Sequence, residues 1–187
     1  MAPRINLIVA ACENMGIGVN GNLPWKLKSE MAFFKRMTSD TRDHSKKNMV
    51  IMGRRTWDSI PSKFRPLPGR VNAILSSKVK TTDVPEGVLV FSSFDSILKF
   101  LQEENLSNQI ETAWVIGGSS VYNLAMNSQF CHRIYLTKIL KEFQCDTFMD
   151  SIDEKQFFQV ADSSLPQGIQ EEDGVTFQYV AYEKMNN

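Results

Sequence analysis

Eight short apolar runs alternate along the chain with segments in which apolar residues recur every three or four positions. The runs predict β-strands, and the first six are nearly continuous apolar stretches, which is typical of strands buried on both faces of a parallel sheet. The periodic segments between them predict helices. The predicted strands are residues 5–11, 49–52, 71–75, 88–91, 114–116, 134–140, 157–161 and 175–182, and the predicted helices are residues 27–37, 54–60, 94–104 and 119–126.

The alternation of strands and helices indicates crossover units, and therefore an α/β fold on a mostly parallel sheet. Residues 163–174, between the last two predicted strands, contain Pro166 and two glycines but no helical pattern. These strands are therefore expected to pair antiparallel at a sheet edge. No internal repeat or Pro/Gly linker divides the 187 residues, a length near the ~150 of one domain. The sequence predicts a single domain over residues 1–187.

Composition excludes several classes of protein. Basic and acidic residues are equal at 21 each, and 42% of residues are hydrophobic, which argues against nucleic acid or a membrane surface as the main partner and against disorder. Three widely spaced cysteines without Cys-x-x-Cys and only two histidines predict no metal site. The N-terminal apolar run is too short for a signal peptide or a membrane span. We therefore expect a soluble, cytoplasmic protein.

Three glycines after the first strand, Gly16, Gly18 and Gly21, spell the dinucleotide-binding pattern G-x-G-x-x-G. That pattern should open a helix, but here a turn-rich segment with an Asn-Gly pair and Pro24 follows. We reject the fingerprint and predict a flexible loop that can approach a ligand closely.

A second glycine pair, Gly117-Gly118, stands between a buried strand and a helix opened by Ser119-Ser120. Backbone N–H groups and a helix N-terminus together favour an anion. An ordinary serine-capped turn explains the same residues equally well.

Two arginines, Arg54 and Arg55, follow Gly53 at the start of the second predicted helix. Cations oppose the helix dipole there, but they suit an anionic ligand whose phosphate oxygens arginine can bind. The alternative is two solvated charges on an exposed turn. Two candidate phosphate sites on one sheet favour a dinucleotide.

One carboxylate falls on the apolar side of the first predicted helix. At about 100° per residue, Glu30 projects between Met37 and Phe34, within a stripe predicted to face the core and formed by Leu27, Met31, Phe34 and Met37. A buried carboxylate is costly unless it is paired or protonated. One explanation is an ion pair with Lys26 or Lys35. The other is a carboxyl that holds a polar heterocycle and manages a proton, with a pKa raised by burial.

A rigid turn, Arg65-Pro66-Leu67-Pro68-Gly69, delivers Arg70 to the start of a predicted strand. Its guanidinium could bind a carboxylate with two parallel hydrogen bonds. The alternative is a surface charge at a sheet edge.

These motifs, taken in order and spacing, are similar to the dihydrofolate reductase family, to its eukaryotic branch more than its bacterial one. The similarity spans nearly the whole chain. The matching residues are Asn14-Met15-Gly16-Ile17-Gly18, Leu23-Pro24-Trp25, Glu30, Phe33-Phe34, Val50-Ile51-Met52-Gly53, Thr56-Trp57, Ser59-Ile60-Pro61, Arg65-Pro66-Leu67, Gly69-Arg70, Gly117-Gly118-Ser119-Ser120-Val121-Tyr122 and Asp146-Thr147-Phe148.

The resemblance implies a central eight-stranded, mostly parallel mixed sheet with a C-terminal antiparallel strand and four flanking helices. It implies NADPH-dependent reduction of 7,8-dihydrofolate to 5,6,7,8-tetrahydrofolate, which supplies one-carbon metabolism and thymidylate and purine synthesis. Hydride would pass to pterin C6, and Glu30 would promote protonation of N5. Folate and antifolates such as methotrexate are implied ligands. Because no large exposed apolar stripe is evident, we expect a monomer.

The resemblance also implies site residues. Catalysis would fall to Glu30, to Leu23 against the nicotinamide, and to Trp25, which would order a water near Glu30. The implied substrate-binding residues are Ile8, Val9, Ala10, Glu30, Met31, Phe34, Ile60, Phe64, Leu67, Arg70, Ile116, Tyr122 and Thr137. The implied cofactor-binding residues are Ala10, Ile17, Gly18, Gly21, Gly53, Arg54, Arg55, Thr56, Leu75, Ser76, Ser77, Lys78, Gly117, Gly118, Ser119, Ser120, Val121 and Tyr122.

Three positions depart from the family pattern. Ser77 stands where members often carry a basic residue that helps select the 2′-phosphate, and the nearest cations are Lys78 and Arg54, so the sequence supports use of a dinucleotide more strongly than a preference for NADPH over NADH. Met31 replaces a more usual Phe, and Phe64 a more usual polar residue, which bears on antifolate affinity. Two other functions remain open: a pyrimidine reductase of riboflavin synthesis, which would need neither Arg70 nor Glu30, and a non-catalytic dinucleotide- or folate-binding module.

Overall fold

The computed structural model describes residues 3–186, and its elements follow the predicted alternation. The helices are α1 Lys28–Ser39, α2 Arg54–Ser59, α3 Phe94–Gln102, a single turn α4 Glu104–Ser107, and α5 Ser119–Asn127. The strands are β1 Ile5–Ala11, β2 Gly16–Gly18, β3 Lys47–Gly53, β4 Val71–Leu75, β5 Leu89–Phe91, β6 Ile110–Gly117, β7 Cys131–Ile139, β8 Thr147–Phe148, β9 Phe157–Val160, β10 Ile169–Glu172 and β11 Val175–Lys184.

The central sheet is mixed, and eight of its nine described strands follow the order β10-β11-β7-β1-β6-β3-β4-β5. All pairs from β7 to β5 are parallel, whereas β11 is antiparallel to β7 and β10. The predicted α/β class, mixed sheet and four flanking helices are therefore confirmed. The predicted antiparallel pairing of the last two apolar runs is also confirmed, because β9 pairs with β11 beside the main path.

Both faces of the parallel strands are buried, as the continuous apolar runs predict. Successive residues of β3 point to opposite faces, so Met49 and Ile51 enter one hydrophobic cluster and Val50 and Met52 enter the other. The first cluster includes residues of α3 and α5, and the second includes residues of α1 and α2. The helices thus cover the sheet in two layers.

The predicted core stripe of α1 is wrong in detail. Met31 is 64% exposed, and Phe34 is only half-buried, whereas the buried residues of the helix are Glu30, Phe33 and Thr38. Phe33 packs on Tyr179 of β11 with ring centroids 4.2 Å apart. The helix turns this face to the sheet and leaves Met31 and Phe34 on its more open side, an arrangement that helical spacing alone does not distinguish.

The sequence missed β10, and this strand holds the start of α1. Leu27 caps the helix without a side-chain hydrogen bond. The Glu172 carboxylate, at the end of β10, instead accepts hydrogen bonds from the backbone N–H groups of Lys28 and Ser29, the latter at 3.0 Å. An acidic group suits a helix N-terminus. No helix among the described residues is long and apolar enough to cross a membrane.

Candidate active site

A cleft opens between two central parallel strands at their carboxyl ends. In the described residues, β1 and β6 pair only as far as Leu7 opposite Val115. Beyond that pair, β1 continues to Ala11 beside β7, and β6 continues to Gly117 beside β3. Ligands of open α/β sheets bind outside the carboxyl ends of strands, which makes this gap the candidate site.

Glu30 is 7% exposed on α1, and the Thr137 hydroxyl of β7 donates a hydrogen bond to its Oε1 at 3.0 Å. Burial raises the pKa of Glu30, and the Thr137 hydrogen bond only partly opposes that effect. The ion pair with Lys26 or Lys35 that could have explained this carboxylate is absent from the described residues, and no described group donates to Oε2. The second oxygen is therefore available to a ligand.

Trp25 supplies a second unpaired polar atom. Its ring is buried and packs edge-on against Phe143, with centroids 5.5 Å apart. Its Nε1 is buried without a hydrogen-bond partner among the described residues. Buried N–H donors are rarely left unpaired, so this atom fits an ordered water or a ligand. Leu23, which precedes it on the same loop, is 50% exposed.

Tyr122 of α5 closes the inner end of the gap. Its hydroxyl donates to the Ile8 carbonyl oxygen at 2.8 Å. Ile8 lies just past the last β1–β6 pair, so the tyrosine satisfies a carbonyl in the part of β1 where β6 no longer pairs. Burial, with a smaller contribution from the Glu30 charge, raises the pKa of Tyr122, which keeps the hydroxyl protonated.

The glycines after β3 and β6 lie against each other and form a cradle. A Cβ at Gly53 would stand 3.3 Å from Val121 Cγ2 and 3.9 Å from the Gly118 nitrogen. Gly117 has φ +126°, and a Cβ there would be 3.3 Å from Thr56 Oγ1. Side chains at these positions would fill the space, so backbone N–H groups can approach an anion.

The serine-cap explanation of this turn is not what the structure has. Gly118 is the N-cap of α5 and makes no side-chain cap hydrogen bond, and Ser119 is the first helical residue. The predicted helix beginning at Arg54 is confirmed, with Gly53 as its N-cap. Rejection of the Gly16–Gly21 fingerprint is confirmed too, because Gly16–Gly18 form β2 and the next helix starts only at Lys28.

The basic residues near the cradle are exposed. Arg54 pairs with Asp58 one turn along α2 at 3.1 Å, and Arg55 is also exposed. Ser77 and Lys78 are exposed after β4, where Ser76 Oγ accepts from the Lys78 N–H at 3.1 Å. These charges can reach solvent-facing anions, and the solvated-charge explanation remains compatible with their exposure.

Arg70 is the other unusual charge. It is 8% exposed, so the surface-charge alternative is wrong. Its Nη1 donates to Thr38 Oγ1 and its Nε to the Pro68 carbonyl, each at 3.0 Å. No carboxylate pairs with it among the described residues. A buried guanidinium without a counter-ion fits an anionic ligand group.

The predicted substrate residues fall largely on one face of the sheet. Several pack, half-buried, on the cluster that contains Trp25, Trp57 and Ile8, namely Ala10, Phe34, Ile60, Leu67 and Ile116. Met31 and Phe64 are 64% and 56% exposed and do not lie in that cluster. Other predicted residues, among them cofactor residues, pack with the cluster on the opposite face, namely Val9, Ile17, Leu75, Val121 and Tyr122.

Gly18 and Gly21 lie at the strand β2 and in the turn after it. Ser119 and Ser120 open α5 beside the cradle. The residues that sequence reasoning missed are Thr38, which is fully buried and holds Arg70, and Glu172, which holds α1. Both act through contacts between segments far apart in the sequence, and no local pattern marks them.

The comparisons agree with this geometry. Residues 4–184 match the family described as dihydrofolate reductase. The dihydrofolate reductases of Heliothis virescens and Drosophila melanogaster are 50% and 48% identical to this chain, each over 97% of it and 98% of their own length. That of Gallus gallus is 44% identical over 96% of both chains. The solved structure of Schistosoma mansoni dihydrofolate reductase superposes with a TM-score of 0.85 at 37% identity, covering 98% of this chain and 99% of that one.

Proposed function

The chain belongs to the dihydrofolate reductase family, and we propose that it is an oxidoreductase that reduces 7,8-dihydrofolate to 5,6,7,8-tetrahydrofolate with NADPH. Residues 1–187 would act as one dihydrofolate reductase domain, and the product would serve one-carbon metabolism. The observation that carries the proposal is the buried Glu30, with a raised pKa, one oxygen bound to Thr137 and the other without a described partner, beside a cleft between β1 and β6.

Glu30 has the environment that the reaction needs in a proton-handling group. Its Oε1 is fixed by Thr137, which leaves Oε2 to bind the amino group and N3 of a pterin. Because burial favours the neutral form of the carboxyl, a proton is held close to the ring at pH values where an exposed glutamate would have lost it. The unpaired Trp25 Nε1 supports an ordered water that would relay the proton toward N5.

The remainder of the substrate would lie along α1 and the turn before β4. The apolar side chains of Phe34, Ile60 and Leu67 suit the ring system, with Met31 and Phe64 at the exposed mouth. Arg70, buried and without a counter-ion, would bind a carboxylate of the glutamate tail with the edge of the guanidinium that Thr38 and Pro68 leave free.

The residues at the ends of β3 and β6 fit a dinucleotide, because the Gly53, Gly117 and Gly118 positions leave a cradle that side chains would fill. NADPH would supply the hydride when bound. Backbone N–H groups at Gly117 to Ser120 would bind its pyrophosphate, while Arg54, Arg55, Thr56 and Leu75 to Lys78 would face the adenosine end. Ala10, Ile17, Gly18, Gly21, Val121 and Tyr122 would border the nicotinamide, with Leu23 excluding water above it.

We also propose a monomeric, cytoplasmic enzyme that binds folate and antifolates such as methotrexate and requires neither nucleic acid nor a membrane. The zero net charge supports independence from nucleic acid. Sedimentation giving a dimer that is independent of concentration would contradict the monomer.

The direct test is NADPH oxidation with dihydrofolate by the wild type and by Glu30→Gln. The amide keeps an oxygen for Thr137 but cannot hold the proton, so turnover should fall at least about 100-fold while the NADPH dissociation constant changes little. Glu86→Gln, at an exposed turn, is the matched control and should behave as wild type. A wild type that binds NADPH but turns over no dihydrofolate would instead favour a binding module or a pyrimidine reductase. Repeating the assay with NADH tests the preference for NADPH.

A further inference from the structure

Two free cysteines 133 positions apart, Cys12 and Cys145, lie side by side next to Gly16. Cys12 follows the last residue of β1, and Cys145 lies two residues before β8. Their sulfur atoms are 3.8 Å apart. Neither cysteine has a role in the proposed reduction, so their juxtaposition calls for a separate explanation.

The two thiols differ in access and are held in place. Cys12 is buried, and its Sγ lies 2.9 Å from Asn14 Oδ1, which also accepts the Gly16 N–H. Cys145 is only half-buried, and its sulfur lies so close to Gly16 that a Cβ at that position would collide with it. A small oxidant can therefore reach Cys145 before Cys12, and the Cys12 sulfur lies close enough to react with the oxidised Cys145.

We propose that Cys12 and Cys145 form a site of reversible oxidative cross-linking by a peroxide. The Cys145 thiolate attacks one peroxide oxygen, and the O–O bond breaks. The other oxygen takes up protons and departs as water, and Cys145 becomes a sulfenic acid. The Cys12 sulfur then attacks the Cys145 sulfur, the S–O bond breaks, and a second water leaves with the remaining proton. For hydrogen peroxide, the two thiols together lose two electrons and two protons, and the peroxide takes these up to become two molecules of water.

The geometry permits this bond with a limited movement. The sulfurs must approach from 3.8 Å to about 2.05 Å. Loss of hydration, with the neighbouring Cys12 thiol, raises the pKa of Cys145, which lowers the share of the reactive thiolate and slows the first step. Cys145 is thus expected to react slowly with peroxide, but its sulfenic acid would have the Cys12 thiol directly beside it.

The cross-link would join the end of β1 to a segment that also contacts the loop carrying Leu23 and Trp25. Phe143, two residues before Cys145, packs on Trp25. Just after it, the backbone of Asp146 donates to Gly18 O at 3.0 Å, and its carboxylate accepts the Asn20 N–H at 2.9 Å. Drawing Cys145 toward Cys12 would therefore shift the supports of Leu23 and Trp25. This consequence rests on the proposed function, in which Leu23 of that loop excludes water above the nicotinamide.

Intact-mass measurement before and after hydrogen peroxide tests the bond itself. We use Cys131→Ser as the starting protein, because Cys131 is the remaining cysteine and has no role in the pair. The expected result is loss of two hydrogens, a peptide containing both cysteines after digestion, and full reversal by dithiothreitol. Cys145→Ser in the same background should form no such bond. Stepwise gain of oxygen alone, or linkage between two molecules, would overturn the proposal.

Turnover measured on the same samples tests the consequence. The oxidised protein should lose at least about tenfold in turnover, since displacing active-site groups by about 1 Å can cost up to ~100-fold. Cys145→Ser should retain its turnover after peroxide. A protein that is fully cross-linked yet fully active would overturn the claim that the bond lowers turnover by displacing the loop with Leu23 and Trp25. If the reduced protein shows no turnover at all, the proposed function fails, while the mass result still decides whether the bond forms.

Discussion

Glu30 and Arg70 are both buried, and neither has an oppositely charged partner among the described residues. Burying an unpaired charged group costs free energy, because the group loses its hydration on folding. Such groups are therefore rare unless they bind a ligand or take part in a reaction. Each is instead held by the hydroxyl of a buried threonine, Thr137 for the carboxylate and Thr38 for the guanidinium. This pairing fixes the side chains and leaves their charge or proton for a ligand.

Arg70→Ala should weaken substrate binding rather than chemistry. Hydrogen bonds to charged groups contribute about 1.5–3 kcal/mol, so KM for dihydrofolate should rise by ~10-fold to ~100-fold with little change in kcat. Steady-state kinetics measures both constants. Arg70→Lys keeps a charge but loses the planar fork, and we expect it to recover only part of the affinity.

A dihydropterin without a glutamate tail is the matched substrate for that experiment. Its kcat/KM should be low in the wild type and unchanged by Arg70→Ala, because this substrate has no carboxylate for the guanidinium to bind. An equal loss for both substrates would show that Arg70 acts through the fold and not through the tail.

At the scale of elements, the site depends on α1, which carries Glu30, and the start of this helix is held by the distant strand β10. The Glu172 carboxylate on β10 binds the N–H groups of Lys28 and Ser29, directly before Glu30. These hydrogen bonds lower the pKa of Glu172. A lowered pKa means that the stabilisation is present above the pKa of the unfolded state and is lost as pH falls through that of the folded state.

Glu172→Ala should therefore lower the thermal unfolding midpoint at neutral pH, and the difference from wild type should vanish in acid. Glu172→Gln keeps an acceptor oxygen and should lose less. Turnover should fall in Glu172→Ala while KM for NADPH is unchanged, because the first turn of α1 carries Glu30. A Glu172→Ala protein with the wild-type midpoint at every pH would rule out the capping contact.

Elements that bury continuous apolar runs were predictable from the sequence, and those fixed by tertiary contact were not. The strands at Ile5–Ala11 and Val71–Leu75 match the prediction residue for residue, and α2 begins at Arg54 as expected. By contrast β10 reads Ile-Gln-Glu-Glu and is polar because one side of this edge strand faces solvent. The burial of Glu30 followed from helical spacing, but the exposure of Met31 depends on how α1 is turned against Tyr179.

At the scale of the whole molecule, the sheet combines stability with an opening. The parallel strands are buried on both faces, yet β1 and β6 no longer pair beyond Leu7 and Val115, toward their carboxyl ends. The sequence placed the glycines and Glu30 in order along the chain. It could not show that Gly53, Thr56 and Gly117 meet, because that contact depends on β6 returning between β1 and β3.

Burial of Glu30 beside this opening should make the free energy of unfolding depend on pH. Because burial raises the folded-state pKa of Glu30, its contribution is favourable below the unfolded pKa and is lost as pH rises through the folded one. Glu30→Gln does not titrate, so its free energy of unfolding relative to wild type should increase with pH, by about 1.4 kcal/mol for each unit of pKa shift. Urea unfolding at about pH 4, below the ordinary glutamate pKa of ~4.3, and at about pH 8 measures this difference. An unchanged difference at the two pH values would mean that Glu30 is not shifted.

The rate of dihydrofolate-dependent NADPH oxidation as a function of pH tests the central claim, that Glu30 holds the proton for the reaction. The wild-type rate should be greatest at low pH and fall about tenfold per unit once pH exceeds the raised pKa of Glu30, since the protonated carboxyl is the active form. Glu30→Gln should be slow, with no such fall in the same range. A wild-type rate that stays constant or rises with pH, or a Glu30→Gln profile that parallels it, would contradict the assignment of the proton to Glu30.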